Sequence, residues 1–158
     1  MPKTPRYNIL IVDDNPAEIR LMQEAIKDAG LDKMVDISYA TDGEEACRLI
    51  TNFFVNNKKP DVIFLDLNMP RMGGKDVLHF VKGHPSFENI PVFVITNSDY
   101  KRDMIDCYNL RADGYFQKPT EFRKLVDFFI SVKQSIQVRS KISVFWIEKT
   151  YAELSGTA

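Results

Sequence analysis

Five polar side chains stand where strand-like stretches stop. Asp13 and Asp14 follow residues 7–12, Asp66 follows 62–65, Thr96 follows 90–95, and Lys118 follows 112–116. Three carboxylates gathered at one point repel one another, and burial raises the cost. A Mg²⁺ ion relieves it, because Mg²⁺ takes oxygen ligands and needs only one or two protein carboxylates, with water or phosphate completing its shell. With a metal present Asp66 stays ionised and can attack phosphorus, giving an aspartyl phosphate. The Lys118 ammonium and the Thr96 hydroxyl then offset charge on the transferring phosphoryl group. No residue reads as a general base toward a foreign substrate. Gly73-Gly74 follows a turn and lacks the lysine and hydroxyl of a P-loop, so no nucleotide-cradling loop is expected.

Each of these residues alone also fits a helix cap or a solvated turn. The elements around them argue otherwise. Residues 61–65 are a nearly continuous apolar run with β-branched members, which suits a strand covered on both faces. Residues 7–12 read the same way, and residues 34–40 read as a shorter strand. Asn15-Pro16 supplies an N-cap and a first-turn proline, with Glu18 placed for a capping box and Gly30 as a stop. Asp42-Gly43-Glu44-Glu45 opens a second helix, and a third follows Gly74 to about Lys82. A fourth spans 99–110 with a basic, polar outer face. The last spans 121–137, with Phe122, Leu125, Phe129, Val132 and Ile136 on one stripe and Phe128 and Ile130 off it. A βα unit repeated five times means a parallel sheet with helices on both faces. The flavodoxin-like order 2-1-3-4-5 fits this size and lines up the ends of strands one, three, four and five, where open α/β sheets bind ligands.

The set Asp13-Asp14, Asp66 within LDLNMP-x-M-G-G, Thr96 and Lys118-Pro119 resembles the receiver domain of two-component response regulators, over about residues 6–137. The resemblance implies that Asp66 is the phosphoacceptor for a histidine kinase. It implies that Asp14, Asp66 and the Asn68 carbonyl bind Mg²⁺ directly and Asp13 mainly through water. Thr96 and Lys118 would contact the phosphoryl group, and Tyr115 matches the aromatic switch position that answers Thr96. The Lys118–Pro119 bond is expected to be cis. Asn97 departs from the pattern, which usually has a smaller residue there, and Asn68 and Ser98 occupy positions that tune the lifetime of the acyl phosphate. Such a protein catalyses only its own phosphorylation and dephosphorylation. The long loop before the third strand, the His84-Pro85 to Pro91 connection and Phe145-Trp146 resemble small single-domain regulators that pair with phytochrome-type kinases.

The bulk properties agree. At 158 residues, 44% hydrophobic and 27% charged, the chain suits one globular domain. A net charge of −1 gives no bulk attraction to nucleic acid or membrane. Cys47 and Cys107 read as reduced thiols in a cytoplasmic protein. Residues 138–158 are too short for a second domain, but Val144, Ile147, Tyr151 and Leu154 recur at helical spacing. An additional C-terminal helix is expected, with a homodimer through it and the preceding helix.

Rival readings are a phosphorylation-independent receiver-like module and an aspartate-nucleophile phosphatase. The phosphatase needs a second acid two residues past the nucleophile, where this chain has Asn68. Asp13, Asn15 and Ala17 break the EF-hand ligand pattern.

Overall fold

Strand and helix alternate five times over residues 6–137, the part of the chain that the computed structural model describes. The strands are β1 (Tyr7–Val12), β2 (Val35–Ala40), β3 (Val62–Leu65), β4 (Val92–Thr96) and β5 (Gly114–Gln117). The helices are α1 (Pro16–Asp28), α2 (Gly43–Val55), α3 (Gly74–Lys82), α4 (Lys101–Asn109) and α5 (Phe122–Gln137). All strand pairs are parallel, in the order β2-β1-β3-β4-β5, so the flavodoxin-like sheet expected from the sequence is the one observed. The expected C-terminal helix lies outside the described residues.

The period of two along each strand divides the core into two layers. Leu10, Val12, Ile63, Leu65 and Val94 pack with Ile50, Val77, Leu78 and Met104 of α2, α3 and α4. Ile9, Ile11, Phe64, Phe93 and Ile95 face Met22, Ile26, Leu125, Phe129 and Val132 of α1 and α5. Phe64 sits centrally in the second layer, 1% exposed, with its ring 5.7 Å from Phe129 and 5.8 Å from Phe128. Burying such a ring contributes roughly 1.5–3 kcal/mol.

Local signals place the ends. The Asn15 side chain accepts from the Ala17 N–H, with Pro16 in the first turn, and Gly30 takes φ +74° past the end of α1. Glu18 closes no capping box; its carboxylate lies 3.6 Å from Lys118 Nζ. Helix α4 begins two residues later than its pattern suggests. The Ser98 hydroxyl takes the Tyr100 N–H and the Tyr100 carbonyl takes the Asp103 N–H, so residues 98–100 form a turn. Pro91 has no N–H for the ladder, and β4 starts at Val92, whose N–H goes to Asp113 instead.

Phe128 is not the exposed second stripe its position suggests. It is 3% exposed and stacks on Phe116 with ring centroids 4.5 Å apart. At the far edge of the sheet Lys82 is buried, and its ammonium meets Asp113 at 2.7 Å and the carbonyls of Glu88 and Ile90. This fully partnered cation ties the α3–β4 loop to the start of β5.

One glycine fixes the loop after β3. A Cβ on Gly74 would lie 2.1 Å from the Asp66 carbonyl oxygen and 2.7 Å from Leu67 Cα. Both neighbours are backbone and cannot step aside. Gly74→Ala should therefore displace the loop that carries Asp66, destabilising the fold by about 1–3 kcal/mol and slowing phosphorylation together with it. Urea unfolding and a phosphorylation time course on the same sample check this.

Candidate functional site

The ends of β1 and β3 are adjacent because those strands pair, and the Asp66 N–H donates to the Val12 carbonyl at 2.9 Å. This brings one carboxylate oxygen each of Asp13, Asp14 and Asp66 within 4.8 Å of one another. Asp13 and Asp66 are buried and Asp14 is half-buried. Lys118 enters from the end of β5, where its N–H donates to the Thr96 carbonyl at 2.7 Å. Its ammonium meets Asp13 Oδ2 at 2.6 Å and Asp66 Oδ1 at 3.9 Å. Thr96 is fully buried at the end of β4, with its hydroxyl near enough to Asp66 to favour the carboxylate form. Residues from four separate stretches thus meet at the carboxyl edge of the sheet, as the strand order requires.

Burial pushes the Asp66 carboxyl up to about 6, and Asp13 adds to the rise, while Lys118, Thr96 and the Leu67 N–H pull it down. Burial works against the Lys118 ammonium too. The Asp13 hydrogen bond and the charges of Asp66, Asp13 and Glu18 more than offset it, so Lys118 stays above its ordinary value. One ammonium faces Asp13, Glu18 and Asp66, and Asp14 adds a further carboxylate beside Asp13 and Asp66. An oxygen-rich, charge-deficient pocket of this kind fits a hard divalent cation.

The sign of the pH dependence follows. A raised carboxyl means the folded chain holds its proton more tightly than the unfolded chain does. The contribution of Asp66 to stability is fully present below its unfolded value near pH 4 and is lost as pH rises through about 6. In chelator, the stability gap between wild type and an Asp66→Asn variant should therefore narrow as the buffer moves from pH 7 to pH 5. Urea melts of both proteins at each pH read it directly.

The remaining expected site residues fall around this centre. Asn68 and Asn97 are exposed. Tyr115 is turned inward, 4% exposed, with its hydroxyl donating to the Ser98 carbonyl at 3.3 Å, and burial pushes its phenol up to about 12. The Lys118–Pro119 bond is not cis: no cis peptide bond occurs among the described residues. The two X–Pro isomers differ by only about 0.5–1 kcal/mol, and the trans chain already carries Lys118 to Asp13 and Thr96. The sequence reading missed Glu18 as a neighbour of Lys118. It also missed Lys75, which pairs with Asp103 and Asp106 of α4 at 2.7 and 2.8 Å. Two acids three residues apart on one helix face announce a cation, but nothing local names Lys75.

Residues 9–129 match the family of response regulator receiver domains. The chain belongs to that family. Response regulator Rcp1 of Synechocystis sp. is 34% identical over 146 residues, spanning 91% of each chain. The crystal structure of the phosphorylated cyanobacterial phytochrome response regulator RcpA is similar at a TM-score of 0.74 and 30% identity, over 83% of this chain and 94% of that one. The Mn²⁺-bound form of Rcp1 is similar at 0.68 and 30% identity, over 81% and 92%. As a receiver of a two-component system, the chain implies a sensor histidine kinase as its partner. No helix of the described receiver is long and apolar enough to cross a membrane.

Proposed function

We propose that this receiver accepts a phosphoryl group on Asp66 from a phytochrome-type histidine kinase in the cytoplasm, and that the phosphate switches a protein-binding surface. The observation that carries the reading is the gathering of Asp13, Asp14 and Asp66 within 4.8 Å, with Lys118 paired to Asp13 and near Asp66. In this reading Asp14, Asp66 and the Asn68 carbonyl hold Mg²⁺, and Asp13 acts through water. The ion, when bound, neutralises carboxylate charge and developing charge on phosphoryl oxygens.

An Asp66 oxygen forms the new P–O bond while the P–N bond to the kinase imidazole breaks. The electron pair stays on that imidazole. Lys118 and Thr96 lower the energy of the phosphorylated state, and a few kcal/mol of such contact moves a two-state equilibrium. Tyr115, whose hydroxyl reaches the Ser98 carbonyl two residues past Thr96, is the aromatic that would answer a movement of Thr96. Asn68, an exposed amide two residues on, supplies no acid for turnover of a foreign phosphate ester, which favours a carrier of signal over a phosphatase.

The phytochrome-type partner rests on similarity to Rcp1 and RcpA over most of each chain. The surface that moves is α4, β5 and α5, where a groove of about 690 Å³ is lined by Phe116, Pro119, Lys124 and Phe128, among others. Val144, Ile147, Tyr151 and Leu154 recur at helical spacing in residues 138–158, and this apolar pattern supports a homodimer through that segment and the last helix. Incubation with acetyl phosphate and Mg²⁺, read by intact mass, tests the central step. Addition of one phosphoryl mass that is lost on chelation of the metal beforehand is expected. An unchanged mass favours the phosphorylation-independent module.

A further inference from the structure

A second charged cluster joins α3 to α4. Lys75 Nζ lies 2.7 Å from Asp103 Oδ1 and 2.8 Å from Asp106 Oδ2, and Arg102 completes the pairing of Asp106 at 3.0 Å. The second oxygen of Asp103 accepts the Ser98 hydroxyl. Ser98 is buried and is a junction. Its N–H donates to Thr96 Oγ1 at 3.3 Å, and its carbonyl accepts from the Tyr115 hydroxyl at 3.3 Å. A continuous line of contacts therefore runs from Lys75 through Asp103 and Ser98 to Thr96 and Tyr115. The other end of Lys75 is tied to the same site, since it directly follows Gly74, which is packed on the backbone of Asp66 and Leu67.

Resting on Asp66 as the phosphoacceptor, we propose that Lys75 is a positioning residue for phosphoryl transfer: by holding Asp103 on Ser98, it keeps the β4–α4 turn drawn in, with Thr96 at Asp66 and Tyr115 inside. Without the ammonium, Asp103 and Asp106 are left as two acids on one helix face with only Arg102 between them. Asp103 gains by turning to water, and Ser98 loses the acceptor that fixes its hydroxyl. The turn then divides its time between drawn-in and released forms, and the reactive fraction falls. Lys75 is 37% exposed, so salt screens its pairing. The wild-type rate should fall with ionic strength more steeply than that of a variant lacking the ammonium.

The test compares full-length wild type, Lys75→Met, Lys75→Arg, Ser98→Ala and the Lys75→Met/Ser98→Ala double variant. The readouts are the initial rate of phosphorylation by acetyl phosphate at saturating Mg²⁺ and the Mg²⁺ dissociation constant. Lys75→Met should be slower by about fivefold, the upper range for a partly exposed ion pair. Its Mg²⁺ affinity should stay unchanged, because Asp13, Asp14 and Asp66 are untouched, and this also reports an intact fold. Lys75→Arg should restore the rate, and the double variant should be no slower than the slower single. A wild-type rate for Lys75→Met, no rescue by arginine, or losses that multiply in the double variant each overturn the proposal. Failure of the wild-type chain to take up phosphoryl would overturn the Asp66 reading itself, before any Lys75 comparison is made.

Discussion

Asp66→Asn should abolish phosphorylation by acetyl phosphate and, in chelator at neutral pH, make the protein more stable. The first effect is chemical. The amide oxygen of asparagine is a poor nucleophile and would leave a charged acyl derivative that water removes. No other carboxylate in the cluster shares the position of Asp66 between Thr96 and Lys118. Uptake should drop below detection rather than by a modest factor. The second effect has the opposite sign to the usual loss on mutating a buried site. Burial with Asp13 beside it raises the Asp66 carboxyl to about 6, so the charged form is carried at a cost near pH 7. A rise of about two units corresponds to roughly 3 kcal/mol at most, and relaxation and water entry reduce it. We expect a gain of about 1–3 kcal/mol in chelator, shrinking when Mg²⁺ is added, because the wild type has one more carboxylate for the ion and gains more from it. Urea melts with and without Mg²⁺ resolve the two states.

Lys118→Met should do the reverse: cost stability without metal, and lose the reaction with or without it. The Lys118 side chain is 7% exposed and its partner Asp13 is 1% exposed, so neither charge has water to fall back on. Removing one member of a buried pair leaves the other uncompensated, at a cost of about 3–5 kcal/mol. Here the loss reaches beyond one pair, since Asp66 and Glu18 also face the ammonium. A divalent cation can take over part of that compensation. Mg²⁺ should therefore restore a large share of the lost stability. It should not restore the rate, because the ammonium also offsets charge on the phosphoryl oxygens, a contribution worth about 10²-fold or more. Thermal unfolding across a Mg²⁺ titration, paired with acetyl phosphate rates, separates the two roles. Recovery of both together would mean that Lys118 only balances charge.

The parts of this picture legible in the sequence share one property. Asp13, Asp14, Asp66 and Thr96 each follow an apolar run whose length and β-branching mark a buried strand, and Lys118 follows a shorter stretch stopped by Pro119. A parallel sheet then places all of them at one edge, whatever the side chains do. The parts that were not legible depend on how elements pack. Phe128 lies off the periodic stripe of α5, yet β3 and β5 offer Phe64 and Phe116 to receive it. Periodicity gives the centre of a buried stripe and not its width. The Lys75 pairing needs the spacing and rotation of α3 against α4, which no local pattern sets. The basic face read for α4 is only its outer side, with Lys101 and Arg102 exposed while Asp103 and Asp106 turn toward Lys75. The Lys118–Pro119 bond turned on a difference smaller than sequence patterns resolve.

The most direct test asks which atom carries the phosphate. The wild-type chain is phosphorylated with acetyl phosphate and Mg²⁺, reduced with borohydride and digested. Borohydride converts an aspartyl phosphate to homoserine, which peptide sequencing by mass locates. Homoserine at position 66, absent from the Asp66→Asn variant, is the predicted result. Homoserine at Asp13 or Asp14 instead, or a phosphoryl group that persists in Asp66→Asn, would contradict the assignment of Asp66.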